Sequence, residues 1–286
     1  MIDIVIASKN QAGFLPATLK GLKSQSFKEF NIICIDGFSE DGTDSLIKEL
    51  PNSLLEYSSA SVEMAYIEGV RLSSSKYISF ATTSDYLIDD TWFDTAQKIL
   101  DSDDNVDIVW ASGINISESG DFLSNNLVEA MRSFPLGYRG TLDKYLLVDF
   151  YIPELSYVIR RDILIEIIER NRLETLIPEG KNRYEFWYYI ILYLLENKSI
   201  VSFLPKRVFA GRIHSNSVTS ILSQKHSIRK IIIHKANSMF DFISIIYHKY
   251  LQKNIFILNY KYSIKEIILF YLFLAKYFKV LVRSFL

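Results

Sequence analysis

Five short segments carry the side chains best suited to chemistry. Ala7-Ser8-Lys9-Asn10, Asp36-Gly37-Phe38-Ser39-Glu40-Asp41-Gly42-Thr43 and Thr82-Thr83-Ser84-Asp85 each follow an apolar run, so hydroxyls, amides and carboxylates gather where strands should end. Asp36 can accept hydrogen bonds there, although a turn or helix-capping aspartate is the competing reading. Arg212 and His214 stand two residues apart. A guanidinium offers a fixed fork of donors to an anion, and an imidazole serves as donor or metal ligand. An exposed histidine with neither role is the alternative. Glu179 and Glu185 are carboxylates able to take a proton, against a surface or salt-bridged role for Glu185.

These residues need a scaffold, and the first half of the chain alternates strand and helix signals. Apolar runs at Ile2–Ala7, Phe30–Ile35, Leu54–Tyr57, Tyr77–Phe80 and Val106–Trp110 predict strands. Helical patterns separate them at Gln11–Ser24, from Thr43 through Leu50, and at Val62–Leu72 and Thr91–Leu100. That order predicts an α/β fold with a parallel sheet covered on both faces, whose ligands bind beyond the C-terminal strand ends. The loops Ala7–Asn10, Asp36–Thr43 and Ala81–Asp85 all fall there. The middle, about 111–200, is less regular. It carries a strand at Ser156–Arg160, helices at Asp162–Arg170 and Tyr184–Glu196, and a strand at Ile200–Leu204 running into Pro205.

Hydrophobic residues make up 49% of the chain and charged residues 23%, which suits a buried core and excludes a disordered chain. The first apolar run has no basic residues before it and is too short for an export signal. Cys34 is the single cysteine, so a disulfide framework is excluded and a reducing, cytoplasmic setting expected. Its place inside an apolar run predicts an inert core thiol rather than a nucleophile. The net charge of −1 hides an asymmetry: residues 226–286 hold ten Lys/Arg against two acids. Aromatic and aliphatic residues intersperse these charges, which predicts a basic amphipathic helical tail lying on an anionic membrane surface. Helices packed on the core or on a second protomer are the alternative. Nucleic acid is not expected as a partner, because apolar residues dominate and no nucleic-acid motif appears. A dinucleotide-dependent dehydrogenase is disfavoured, because no G-x-G-x-x-G follows the first strand.

The segment from Asp36 to Thr43 resembles the D-[DG]-G-S-x-D-G-T signature of the family two glycosyltransferases, which use the GT-A fold. Val5-Ile6-Ala7-Ser8-Lys9-Asn10 looks like that family's first strand, and Ser24-Gln25-Ser26-Phe27-Lys28-Glu29-Phe30 like its S-Q-T-[YF]-x-x-[FW] segment. Lys76-Tyr77-Ile78-Ser79-Phe80 resembles its fourth strand, and Arg212-Ile213-His214-Ser215-Asn216-Ser217 its late R-x-H-x-x-S motif. The resemblance spans residues 1–225. It implies a GT-A domain there, with a nucleotide-binding half at 1–110 and an acceptor half at 111–225, followed by the tail at 226–286. It also implies sugar transfer, with inversion, from a nucleotide-sugar donor, UDP-linked by expectation, to a lipid-linked glycan in surface polysaccharide synthesis (O-antigen or capsule). On the same basis Ala7, Ser8, Asn10, Asp36, Ser84 and Asp85 bind the nucleotide, and Arg212 and His214 neutralise the diphosphate. The expected setting is peripheral, on the cytoplasmic face of the cell membrane. A homo-oligomer is left open.

Three positions depart from that pattern. Where the family carries a D-x-D-D segment for Mn²⁺ or Mg²⁺, this chain has Thr82-Thr83-Ser84-Asp85. Hard cations want anionic oxygens, so either Asp85 and His214 share a loose metal site or positive side chains replace the metal. The position of the family's catalytic aspartate holds Arg183, which cannot act as a base, leaving Glu185 or Glu179 to substitute. Phe38 fills a usual glycine position, and Gly37 replaces a second aspartate found in many members. A non-catalytic homologue that binds a partner in the same pathway is therefore the alternative function.

Overall fold

The computed structural model describes residues 1–124, 137–141, 154–176 and 186–214. Two compact units divide the chain, Met1–Ile213 and His214–Leu286. In the second unit only His214 is described, so the basic tail at 226–286 lies outside the described residues, as do Glu179, Arg183 and Glu185. Among the described residues no helix is long and apolar enough to cross a membrane.

The first unit opens with β1 (Ile2–Ser8), α1 (Leu15–Ser24), β2 (Phe30–Asp36), α2 (Thr43–Lys48), β3 (Ser53–Tyr57), α3 (Val62–Leu72) and β4 (Tyr77–Ala81). It continues with β5 (Tyr86–Leu87), α4 (Trp92–Ser102), β6 (Val106–Ile116), β7 (Phe122–Ser124) and β8 (Arg139–Gly140). A 3₁₀ turn at Glu154–Ser156 leads into β9 (Tyr157–Arg160), α5 (Arg161–Asn171), α6 (Leu173–Leu176), α7 (Phe186–Glu196) and β10 (Ile200–Arg212). One mixed sheet runs β3-β2-β1-β4-β9-β6-β10-β5, with β7 on β6 and β8 on β10. The architecture is the expected α/β fold of the GT-A kind, a mostly parallel sheet flanked by helices.

Continuous apolar sequences explain the centre of the sheet. β4 and β9 are buried at every position and β1 at all but one, as strands covered on both faces should be. β3, at the edge, alternates between half-buried and exposed residues. Ile4, Ile6, Leu19, Leu22, Phe93, Leu100 and Val109 share one core between sheet and helices.

Three expectations change. The helix predicted from Gln11 begins at Leu15, because Pro16 has no N–H and belongs in a first turn. The freed amides of Gln11 and Ala12 instead bond to Thr43 Oγ1 and Asp41 Oδ2, at 2.8 and 2.9 Å. The mostly parallel sheet admits its antiparallel strand at the centre, where β9 lies between β4 and β6 and is antiparallel to both. The fifth predicted strand extends to Ile116, and β10 does not stop at Pro205. It runs on to Arg212 beside β6, with a register irregularity between Phe203 and Arg207 that absorbs the proline's missing donor.

Two close contacts hold the helices to this sheet. A Cβ on Gly21 would lie 2.8 Å from Leu87 N and 2.9 Å from Leu87 O, so α1 rests directly on the backbone of β5. Gly21→Ala gains about 1 kcal/mol of helix propensity but forces a backbone shift costing about 1–3 kcal/mol. The expected outcome is a lower urea midpoint with an unchanged slope. At the opposite end of β1, the buried Asp3 accepts from Ser73 Oγ (2.6 Å), Ser75 Oγ (2.6 Å), the Ser74 and Ser75 amides (3.0 Å each) and Asn31 Nδ2 (2.9 Å). Burial pushes this carboxyl upward, but the bonds from Ser73, Ser75 and Asn31 outweigh it and hold the group below the usual carboxylate range. A depressed folded value means the contribution is complete above the unfolded value and vanishes as pH falls through the folded one. Asp3→Asn is expected to cost on the order of 2–3 kcal/mol at neutral pH and to flatten stability against pH in acid, measured by urea titration.

Candidate functional site

β1 and β2 run parallel with Ser8 opposite Asp36, and β1 pairs with β4 up to Ile6 opposite Ala81. The three loops therefore leave one edge of the sheet together. β6 and β10 run in the same direction as β4, because β9 is antiparallel to both β4 and β6 and β10 is parallel to β6. Arg212, at the end of β10, thus belongs to this edge as well.

Asp36 organises the first cluster. It is fully buried, and its Oδ2 accepts from Ser8 Oγ at 2.6 Å and Ser39 Oγ at 2.7 Å. Its Oδ1 accepts from the Ser39 amide at 2.7 Å. Ser39 Oγ in turn accepts from the Asn10 amide (2.8 Å), and Asn10 Oδ1 accepts from the Glu40 amide (2.9 Å). Gly37 donates its amide to Ser8 O at 2.8 Å. Ser8 and Asn10 are thereby bound to the Asp36 loop, with Ala7 registered opposite Ile35 beside them, so the strand ends present one ordered rim.

Beneath that rim, Ser8 Oγ lies 3.4 Å from the sulfur of buried Cys34. Burial pushes the thiol up to about 12, with Ser8 hydrogen bonding opposing and the Asp36 charge assisting. The thiolate is absent at neutral pH, which agrees with an inert core cysteine. Asp41 accepts from the Ala12 amide and from the Thr43 amide (3.1 Å) and hydroxyl, which holds its carboxyl below the usual range. Gly42 caps α2 at φ 90°, a conformation that suits a residue without Cβ.

Asp85 and Arg212 form the second cluster. Asp85 Oδ1 accepts from the Arg212 amide at 2.9 Å and from Ser84 Oγ at 3.4 Å. Thr18 Oγ1, on α1, bonds to the carbonyls of Asp85 (2.6 Å) and Thr83 (3.1 Å) and so fixes the loop from below. The Arg212 guanidinium lies 5.6 Å from the Phe14 ring centroid and 5.8 Å from that of Tyr86. It donates to the carbonyls of Ser84 (3.4 Å), Ser117 (3.5 Å) and Glu118. Arg212 thus ties together three segments of the site edge in addition to bringing positive charge there. Thr18 and Phe14 gave no sequence signal for this work, since a threonine on a buried helix face and an aromatic before a helix are ordinary core residues.

The GT-A fold raises the question of a divalent cation beside Asp85. Around the Thr82–Asp85 loop the donors are one carboxylate, which already accepts two hydrogen bonds, and neutral hydroxyls. Thr82 Oγ1 is buried without a hydrogen-bond partner. Among the described residues no group of three His, Cys, Asp or Glu side chains converges. These residues alone do not fit a hard divalent cation, which takes several anionic oxygens. His214 is buried and begins the second unit.

Gln25 has a structural role. It is fully buried, donates to Asp89 O at 2.7 Å and accepts from the Phe93 amide at 3.2 Å, which joins the end of α1 to the start of α4.

A family model described as glycosyl transferase family 2 matches residues 3–168. The chain matches no curated protein. Among solved structures it is similar to S. aureus TarS 1-349 in complex with UDP, at 14% identity and TM-score 0.54, covering 91% of this chain and 75% of that one. S. aureus TarS 1-349 in complex with UDP-GlcNAc gives 13% identity and TM-score 0.56, over 96% and 80% of the two chains. The mannosyltransferase PcManGT from Pyrobaculum calidifontis, in complex with GDP-Man and Mn²⁺, gives 12% identity and TM-score 0.58, over 83% and 64%. Likeness at such identities speaks for the fold.

Proposed function

The chain belongs to glycosyl transferase family 2, and on that premise we propose that it moves a sugar from a UDP-linked donor to a lipid-linked glycan in surface polysaccharide synthesis. The observation that carries this reading is the ordered rim at the strand ends. There the Asp36 carboxylate is fixed by Ser8 and Ser39, beside a loop whose Asp85 is locked to the end of β10. Asp36 accepts from the ribose or the base, with Ala7, Ser8 and Asn10 lining the same pocket. Ser84 and Asp85 face the donor from the β4 loop. Arg212, as a fixed fork of donors, and His214, as a further donor, neutralise the diphosphate.

The acceptor hydroxyl attacks the anomeric carbon in line, its proton passes to a carboxylate, and the bond from that carbon to the diphosphate oxygen breaks. Inversion follows from a single displacement. Glu185 or Glu179 takes the proton in this reading, since Arg183 cannot. The tail at 226–286, ten basic residues against two acids, holds the enzyme to the cytoplasmic membrane face where lipid-linked acceptors lie. TarS in complex with UDP and with UDP-GlcNAc supports the donor class. The test is incubation of purified protein with a panel of nucleotide sugars and lipid-linked acceptors. Absence of both transfer and slow donor hydrolysis across the whole panel would count against it.

A second reading is favoured by Thr82-Thr83-Ser84 and Arg183 standing where the family carries acidic residues. In that reading the chain is a non-catalytic homologue that binds a partner in the same pathway. UDP binding measured with and without Mn²⁺ separates the two: tight binding, with or without the metal, favours the enzyme, and no binding favours the scaffold.

A further inference from the structure

Phe38 combines two features that folding alone does not reward. Its backbone stands at φ 59°, a left-handed conformation that bulky side chains rarely adopt. Its side chain is 58% exposed, so the strain is not offset by burial in a core. The ring nevertheless has a fixed place. It stacks on Tyr57 with centroids 5.6 Å apart and planes at 26°. Tyr57 is itself anchored, with its hydroxyl donating to Asp44 Oδ2 at 2.9 Å and Lys48 Nζ lying 5.6 Å from its ring centroid.

The aromatic pair belongs to the Asp36 rim. Tyr57 is registered opposite Asp36, and the Ser58 amide donates to Asp36 O at 2.9 Å. Ser39, the residue after Phe38, bonds to the Asp36 carboxylate through both its amide and its hydroxyl. The bonds that fix the carboxylate therefore also fix the ring. Gly37 lets the stem of Lys9 close against this turn, since a Cβ there would lie 3.0 Å from Lys9 Cδ.

We propose that Phe38, backed by Tyr57, is the stacking platform for the nucleobase of the donor, on the loop that the buried Asp36 carboxylate holds in place. An exposed, flat aromatic surface on a fixed polar loop matches a ligand with a π face and polar edges. A macromolecular partner fits poorly, because two rings in a polar loop fall far short of the ~800 Å² per side of a stable interface. The proposal rests on the donor site described above and adds the residues that hold the base.

Phe38→Gly tests it, because glycine accepts φ 59° and leaves the loop intact. Binding of UDP, GDP and inorganic pyrophosphate is measured by calorimetry alongside thermal melting. UDP and GDP affinities are expected to fall about tenfold, pyrophosphate affinity to stay unchanged, and the melting temperature not to drop. Phe38→Leu is expected to lose as much as the glycine variant, and Phe38→Trp to retain wild-type affinity. UDP and GDP binding within twofold of wild type in Phe38→Gly overturns the platform and leaves the donor site standing. Unchanged nucleotide binding with weaker acceptor binding overturns it equally. Wild-type protein that binds neither UDP nor GDP overturns the donor site itself.

Discussion

Asp36→Ala is expected to weaken UDP binding by about 100-fold, the largest effect on affinity foreseen for this chain. Three donors converge on the Asp36 carboxylate in a fully buried position. Alanine leaves the Ser8 and Ser39 hydroxyls and the Ser39 amide without their acceptor, at about 1–3 kcal/mol for each buried group left unmade. The loop that carries Phe38 then loses its order, and about 2.7 kcal/mol of lost binding is enough for the stated factor. Asp36→Asn separates these contributions. Its amide oxygen still accepts from Ser39 N, so the fold stays near wild type while the negative charge is gone. Calorimetric titration with UDP, alongside thermal melting, checks both variants. An alanine variant that binds UDP as wild type does would remove Asp36 from the donor site.

The largest effect on turnover is expected at Asp85. Asp85→Asn retains an oxygen for the Arg212 amide, and the Thr18 bonds go to backbone carbonyls, so the melting temperature should stay within a few degrees of wild type. The carboxylate charge beside the donor is lost, and kcat/KM for sugar transfer is expected to fall about 10²–10³-fold, the usual size for removing one aimed electrostatic group. Steady-state kinetics with the donor identified by the panel check this. A variant of full activity would show that the lone carboxylate of the β4 loop does not touch the reaction.

The strand ends were legible in the sequence because local signals agreed there. Ile2–Ala7, Phe30–Ile35 and Tyr77–Phe80 are short apolar runs followed by Ser, Asp, Gly and Thr, so strand and loop chemistry pointed to the same boundaries. Asp36 could be singled out by its position alone. Its bond to Ser8 could not, because it depends on parallel register between strands 28 residues apart.

Non-local pairing hid the rest. β9 carries only four residues, and nothing in Tyr157–Arg160 announces that it enters antiparallel between β4 and β6. β5, of two residues, falls below any periodicity. Pro205 reads as a strand stop, yet the strand resumes because the following residues pair with the long β6. The guanidinium of Arg212 held between Phe14 and Tyr86 joins residues nearly 200 positions apart, and no spacing rule reaches that far.

Cys34 has one further consequence. Its sulfur lies beneath Ser8, whose hydroxyl reaches Asp36, so the sole thiol of the chain sits under the seam between the first two strands. Solvent reaches that sulfur only when the seam parts. The molecule thus carries a built-in gauge of how often the rim at its strand ends opens, with no second cysteine to blur the signal.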